Sequence, residues 1–246
     1  MSGEAEPPGD GGGRAFAARG VRAALSTPGL ALTASAVGFG GLAQSLGWSL
    51  SLTVGSTAMI FALPAQLVML AALTAGASLP ATALAVTLSG VRLLPMTVSV
   101  MPLLRVPGVR PWKLYLASHF VAMTIWLESF RHLPELPDRG KLPFYFGMAS
   151  VLLLFSTAGT AAGFLIATWL SAPLAVGLVA VTPFYFLYSL ERGATSAAER
   201  MAIVIGFVLG PLAAIYLPGL ELLVAGVIGG TVPFLIERRR ARRPAP

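Results

Sequence analysis

The sequence predicts an all-α integral membrane protein with about six to eight hydrophobic helices, two of them broken or re-entrant. Hydrophobic residues fill 56% of the 246 positions and charged residues only 11%, whereas soluble domains contain about 25% charged residues. No charged residue occurs between Ala23 and Val91 or between Leu142 and Leu190. Since a helix needs about 20 apolar residues to cross a bilayer, each of these two runs must contain more than one crossing.

The chain offers no motif for nucleotide, metal or nucleic-acid chemistry. It lacks a P-loop, a GxSxG turn and an HExxH motif, and two histidines with ten acidic residues make a poor metal site. Most of the basic residues behind the net charge of +7 flank apolar runs, as topology signals do. The absence of cysteine excludes disulfides and thiol catalysis. We therefore expect no cofactor, no metal and no nucleic-acid partner, and any transport must run downhill or on an ion gradient.

Three regions follow from the distribution of polar residues. Residues 1–22 are rich in glycine and proline and predict a disordered cytoplasmic tail. Residues 23–236 form a single polytopic membrane domain, and the arginine-rich residues 237–246 form a basic cytoplasmic tail. A cleaved signal peptide with Ala34-Ser35-Ala36 as its cleavage site is the alternative for the N-terminus. Pro28-Gly29 would interrupt its apolar core, so we favour a first membrane helix.

Polar loops and prolines divide the membrane domain into eight apolar segments. Proline removes a backbone donor and clashes with the preceding turn, so we expect the second segment to break at Pro64 and the sixth at Pro183. The third segment contains Pro95 just after Arg92. The predicted segments cover about 27–46, 50–75, 79–104, 114–130, 142–170, 172–190, 201–217 and 218–236.

The basic loop 105–113 discriminates between two topologies. If all eight segments crossed from a cytoplasmic N-terminus, this loop would lie outside, against the positive-inside rule. If the Pro64 and Pro183 segments are re-entrant or broken, the loop, the linker 191–200 and both termini lie in the cytoplasm. We favour the second topology.

A weak internal repeat supports the broken helices. Three positions in the first half recur at one constant offset in the second half, and the repeat halves are about 27–104 and 142–217. Either topology makes the halves inverted, and inverted repeats with interrupted helices are typical of transporters that bind substrate near the midplane. The matched pairs are Gly40 with Gly159, Ala43 with Ala162, and Pro64 with Pro183.

Arg92 is the first candidate for substrate binding. A guanidinium inside hydrocarbon costs about 2.5–3.5 kcal/mol on insertion scales, so such a residue usually faces an interior that holds a partner or ligand. Ser89, Thr82 and Ser99 share its helical face by spacing, and a cation among hydroxyls suits a carboxylate. The structural alternative is an arginine paired with Glu128 or with a backbone carbonyl.

Gln66 and His119 are the other candidate polar residues. Gln66 directly follows the Pro64 break, where freed backbone groups and an amide could bind a zwitterion together, and the Pro183 break could close that site. A plain helix–helix hydrogen bond is the alternative for Gln66. His119 could relay protons, because histidine titrates near physiological pH, or it could be a satisfied core histidine.

Four stretches resemble the AzlC family, the large subunit of bacterial branched-chain amino acid exporters. They are Phe39 to Gly47, similar to the family's FG…G first helix; Phe61 to Gln66, where the family has an AGxxQF-like turn; Ala75 to Ser78, similar to its AAGxS; and Ser89 to Arg92, which aligns with its N-x-R-H motif. The resemblance extends over about residues 27–236. It implies export of branched-chain or related amino acids across the bacterial inner membrane, usually with a small AzlD-type membrane partner.

This chain departs from the family pattern at several motif positions. Gln66 and Arg92 match, whereas the asparagine and histidine of the arginine motif are Gly90 and Leu93. Leu63-Pro64 replaces a small Gly-Ala pair, and Ala117-Ser118-His119 stands where the family has an acidic stretch. The resemblance thus implies a divergent member, in which His119 could replace the missing titrating group.

The combined expectation is a secondary transporter subunit and not an enzyme. Arg92 would bind the substrate carboxylate with Ser89 nearby, and Gln66 would bind its polar end between the Pro64 and Pro183 breaks. An intramembrane enzyme acting on a lipid or small amphiphile through His119, Glu128 and Arg92 is the alternative from another class. A membrane scaffold is a third alternative, which a buried arginine does not favour.

Overall fold

The structure is a computed structural model that describes residues 11–194, 196–216 and 221–241. Within these ranges the chain forms twelve α-helices, two short 3-10 helices at 133–135 and 167–169, and no strand. It divides into two compact units, residues 1–182 and 183–246. The helices are α1 Gly11–Ala24, α2 Thr27–Ser45, α3 Leu50–Ile60, α4 Leu63–Thr74, α5 Leu79–Gly90, α6 Leu93–Leu104, α7 Pro111–His119, α8 Met123–His132, α9 Asp138–Leu165, α10 Ala172–Gly193, α11 Ala197–Tyr216 and α12 Glu221–Ala241.

The long helix α9 is the axis of the first unit, and α1 and α2 pack along it through glycines. A Cβ added to Gly20 would collide with the carbonyl of Phe144, and one added to Gly40 would collide with the carbonyl of Thr160. Gly163 lies equally close to the α2 backbone at Val37. Small residues allow such close helix approach in membrane proteins. Gly159 and Gly163, which are spaced as a GxxxG pair, therefore serve helix contact.

These contacts show that α2 and α9 run parallel. Near the start of α2, a Cβ added to Gly29 would lie 3.2 Å from the side chain of Leu152 in α9. Further along both helices, Gly159 meets Thr33, and Gly163 meets Val37. Because the paired residues advance together, both helices cross a membrane in the same direction. The expectation that these two segments of the repeat cross in opposite directions is corrected.

Helices α3 and α4 form a hairpin whose tip is the break predicted at Pro64. Phe61 adopts a left-handed conformation with φ 43°, and Ala62 is extended. Pro64 lies in the first turn of α4, where its missing N–H is not needed. The helices fold back on each other, since Gln66 of α4 contacts Thr57 of α3. The prediction of a broken second segment is confirmed.

The third predicted segment is bent by 49° between α5 and α6. Pro95 cannot donate a hydrogen bond to the carbonyl of Val91, four residues earlier, and its ring clashes with that carbonyl. The helix is interrupted at Val91–Arg92 as a result, and Arg92 lies at the joint.

Helices α7 and α8 occupy the fourth predicted segment. The chain enters α7 and leaves α8 at the same end of α9. The Tyr145 hydroxyl donates to the carbonyl of Ala117 in α7 at 2.9 Å. Leu104 at the end of α6 and Leu133 after α8 belong to the same buried cluster as Tyr145 and Phe144. The loops before α7 and after α8 therefore lie at the same end of α9. A single crossing over residues 114–130 is not observed, although no proline or glycine marks the break at 120–122.

Helix α10 continues through Pro183, so the expected break there is wrong. Proline at this position leaves the carbonyl of Val179 without its helical donor. The Ser35 hydroxyl in α2 lies 3.1 Å from that carbonyl and 2.9 Å from the carbonyl of Leu178. Serine and threonine side chains commonly satisfy backbone groups freed by proline in membrane helices. Ser35 also accepts a hydrogen bond from the Thr182 backbone amide at 3.0 Å.

The ends of the chain also differ from the expectation. Helix α1 occupies residues 11–24, where a disordered tail was expected to reach residue 22, while residues 1–10 lie outside the described residues. Helix α12 extends to Ala241, beyond the expected end of the membrane domain at residue 236. Within the second unit, α11 and α12 pack on each other, and Gly229 approaches Ala202 and Gly206.

The described helices are those of a multi-pass membrane protein. Three of them are long and apolar enough to cross a membrane, at Asp138–Leu165, Ala172–Arg192 and Ala197–Tyr216. Two bent pairs, α1 with α2 at 58° and α5 with α6 at 49°, would raise the number to five if each pair is one span.

Candidate functional site

A buried polar cluster connects the tip of the α3–α4 hairpin to α9. The Gln66 side-chain amide donates to the Thr57 hydroxyl at 2.7 Å and approaches the Ser56 hydroxyl at 3.5 Å. The Thr57 hydroxyl in turn lies 3.0 Å from the hydroxyl of Thr160 in α9. Ser56 donates to the carbonyl of Thr53 at 2.7 Å. All five side chains are buried, so the cluster is an uncharged hydrogen-bonded network inside an apolar helix bundle.

A small cavity of about 20 Å³ lies beside this cluster. That volume suffices for one water-sized group. Ser156 is the nineteenth of the 28 residues of α9, so the cavity lies about two-thirds of the way along this helix. Its lining residues are Leu32, Ala36, Thr57, Phe61, Leu63, Gln66 and Ser156.

The cavity wall combines hydrogen-bond donors with apolar side chains. Ser156 is 3% exposed and its hydroxyl has no hydrogen-bond partner among the described residues. Leu63, which also lines the cavity, begins α4, and its backbone amide has no acceptor in the described chain. Leu32 and Phe61 supply apolar surface. No charged residue lines the cavity, so its polarity comes from hydroxyl, amide and helix-terminal groups.

Ser156 escaped the sequence analysis. It lies in a long uncharged run with other serines and threonines, and only the packing of α9 against the hairpin distinguishes it from them. Gln66 was found because it follows a proline in an otherwise apolar segment.

Arg92 lies at the α5–α6 joint and does not line the cavity. Its side chain is half-buried and has no hydrogen bond or ion pair to any described residue. Ser89 and Thr82 on α5 are buried, and their hydroxyls also lack partners among the described residues. Ser99 accepts a hydrogen bond from the Trp126 indole at 2.9 Å. The structure therefore places Ser89 and Arg92 together at the α5–α6 joint. Neither residue lines the cavity that contains Gln66.

Glu128 pairs with residues of its own helix and not with Arg92. One carboxylate oxygen lies 2.8 Å from Arg131 and the other lies 3.3 Å from His132. The alternative of an Arg92–Glu128 pair is therefore wrong.

His119 ends α7 with an exposed side chain whose ring packs edge-on against Phe120. It has no polar partner in the described chain, so neither a relay nor a satisfied core histidine is seen. No hydrogen bond or ion pair joins His119, Glu128 and Arg92 to one another among the described residues.

The two prolines have different positions. Pro64 is exposed at the start of α4, where it helps to begin the helix that carries Gln66. Pro183 lies within the continuous helix α10. No group of three or more histidine, cysteine, aspartate or glutamate side chains close enough to hold a metal occurs in the described ranges.

A comparison with protein-family models identifies the family to which this helical membrane domain belongs. The model of the family described as AzlC protein matches residues 29–170, more than half of the chain. The matched region contains the α3–α4 hairpin, the α5–α6 joint and the cavity. No curated protein and no solved structure matches. The chain thus belongs to the AzlC family of membrane transport proteins.

Proposed function

We propose that this protein is a secondary transporter subunit that exports branched-chain or related small amino acids across the bacterial inner membrane. The observation that supports this proposal most strongly is the meeting of the hairpin tip with the second half of α9 at a small, partly polar cavity. Interrupted helices whose ends face a midplane site are a recurring way to bind small substrates in membranes. The family is associated with branched-chain amino acid transport, and the mixed polar and apolar lining suits such a molecule.

The proposed site is centred on Gln66 at the hairpin tip. Gln66 would bind the polar end of the substrate, and Leu32 and Phe61 would contact a branched side chain. A whole amino acid exceeds the present cavity, so binding requires the hairpin tip to move relative to α9. Phe61 is the natural hinge, because its left-handed conformation is strained for a residue with a side chain.

Arg92 and Ser89 would act at the α5–α6 joint. A half-buried arginine with two unpartnered hydroxyls on the adjoining helix can attract an anionic group on its way to or from the cavity. His119 is a candidate proton carrier at the end of α7, and the Pro183 region of α10 a candidate moving part. We further propose a small AzlD-type membrane subunit as the partner, which co-purification of a tagged chain from its native membranes would detect.

Export can be tested in cells. A strain that lacks the gene, loaded with a leucine-containing dipeptide, should accumulate more internal leucine than its parent and release it more slowly. Expression of the protein with its neighbouring genes should restore the release. Equal efflux of leucine, isoleucine and valine with and without the gene would reject the proposed function.

A further inference from the structure

We propose that Ser156 and the first turn of α4 form a carboxylate-binding subsite in the cavity. This inference rests on the proposed function and specifies which part of the amino acid enters the cavity first. The subsite takes the carboxylate, while the ammonium group and side chain lie outside the present cavity. Ser156 was not a candidate from the sequence, and Arg92 is not needed for this contact.

The first observation is the unusual state of the Ser156 hydroxyl. Serine in a helix usually donates to a carbonyl three or four residues earlier, as the neighbouring Thr157 donates to Leu153 at 2.7 Å. Ser156 does not, although it is 3% exposed, and it lines the cavity instead. A buried hydroxyl without a partner destabilises the folded state. Among the buried hydroxyls without a partner in the described chain, Ser156 is one that lines the cavity, where a ligand would accept its hydrogen bond.

The second observation is the orientation of α4. This twelve-residue helix begins at Leu63, and its N-cap residue Ala62 supplies no side-chain acceptor. The amides of Leu63 and Ala65 lack acceptors in the described chain, and Leu63 and Gln66 line the cavity. A helix N-terminus carries a partial positive charge and binds anions through such amides.

The chemistry of the lining selects an anion over a cation. The unpartnered hydrogen-bond donors that line the cavity are the Ser156 hydroxyl and the Leu63 backbone amide, whereas Thr57 is already hydrogen-bonded to Gln66 and Thr160. Among the described residues, no carboxylate lines the cavity to bind a cation. A volume of about 20 Å³ suits a water-sized oxygen group better than a whole amino acid. A carboxylate oxygen fits both requirements.

Binding of tritiated leucine to the purified full-length protein in detergent tests the subsite. Isocaproate, which keeps the carboxylate and lacks the ammonium group, should displace leucine. Leucinamide and isoamylamine, which lack the carboxylate, should not. Ser156→Ala should weaken leucine and isocaproate binding about tenfold, because it removes one hydrogen bond to a charged group. The unfolding temperature of this variant should equal or exceed that of the wild type.

Ser129→Ala is the matched control. Ser129 is also fully buried with an unpartnered hydroxyl, but it lies in α8 and does not line the cavity. This variant should bind leucine as the wild type does. The inference is overturned if Ser156→Ala keeps wild-type affinity or if leucinamide competes as well as leucine. Absence of leucine binding by a wild-type protein that still exports leucine from cells overturns the subsite alone, whereas loss of both overturns the proposed function too.

Discussion

Gln66 organises the hairpin tip because its side-chain amide nitrogen forms hydrogen bonds within the bundle. Its amide donates to Thr57, and Thr57 lies within hydrogen-bonding distance of Thr160 on α9. A buried network is stabilising when every member has a partner and costly when one is removed. The same amide lines the cavity, so structure and proposed substrate contact depend on one side chain.

Gln66→Leu should abolish leucine export while the protein remains in the membrane. Leucine has a similar size, so the main loss is the amide and its hydrogen bonds, which contribute about 1 kcal/mol each. Export from loaded cells and the amount of protein in isolated membranes are the measurements. Gln44→Leu in α2 is the control, since Gln44 is half-buried and lies outside the cavity lining. Full export by Gln66→Leu would remove Gln66 from the site.

The individual site residues were predictable only where they interrupt a pattern. Gln66 was identifiable because it follows a proline, and Arg92 because it is a charge in an apolar segment. Ser156 has no such signal, since its role depends on which face of α9 the hairpin covers. The partners of Glu128 were predictable, because Arg131 and His132 follow it at i+3 and i+4 on one helix, before a distant arginine can compete.

At the scale of elements, the two predicted breaks differ because their prolines have different neighbours. Pro64 follows the left-handed Phe61 and the extended Ala62, so the chain has already left the helix. Pro183 instead follows a carbonyl that Ser35 satisfies from α2. Proline positions were therefore sufficient to predict where a helix is weakened. Whether the helix breaks depends on a hydrogen bond from another helix, such as that of Ser35 to the carbonyl of Val179. The local sequence around the proline does not reveal that bond.

A double-mutant cycle tests this explanation for α10. Ser35→Ala should destabilise the protein by about 1–3 kcal/mol, because buried carbonyls lose their donor. Pro183→Ala restores a backbone N–H for the carbonyl of Val179, so Ser35→Ala should cost less in that background. Unfolding midpoints in detergent give both values. Equal penalties in the two backgrounds would show that Ser35 does not compensate for Pro183.

The glycine contacts between α2 and α9 make a second prediction for elements. The Cβ that Gly40→Ala adds would collide with the carbonyl oxygen of Thr160, so the two helices must separate. This change should lower the free energy of unfolding by about 1–3 kcal/mol. Gly55→Ala in α3 is the control, because nothing lies within 4 Å of its added Cβ. That change should stabilise α3 slightly. The unfolding temperature should fall for Gly40→Ala and rise slightly for Gly55→Ala. Similar shifts of the two unfolding temperatures would contradict the close packing of α2 on α9.

For the whole molecule, the direction of α9 determines the topology of the first unit. Since α2 and α9 are parallel, residues 46–137 must return the chain to the side on which α2 began. The α3–α4 hairpin turns back at its tip, the α5–α6 pair crosses once, and α7 and α8 remain at one end. This arrangement places the basic loop 105–113 and the loop 131–137 on one side. The alternation of apolar and polar segments predicted membrane insertion and most helix positions, but it could not distinguish a crossing from a return.

Accessibility of single cysteines tests this topology directly. The chain contains no cysteine, so Leu46→Cys, Val109→Cys and Glu135→Cys each carry one thiol. By the positive-inside rule we place the basic loop in the cytoplasm. A membrane-impermeant maleimide should then label Leu46→Cys in intact cells, and the other two only after permeabilisation. Opposite exposure of positions 109 and 135 would require α7 and α8 to cross the bilayer, which their shared contacts with the first third of α9 do not permit.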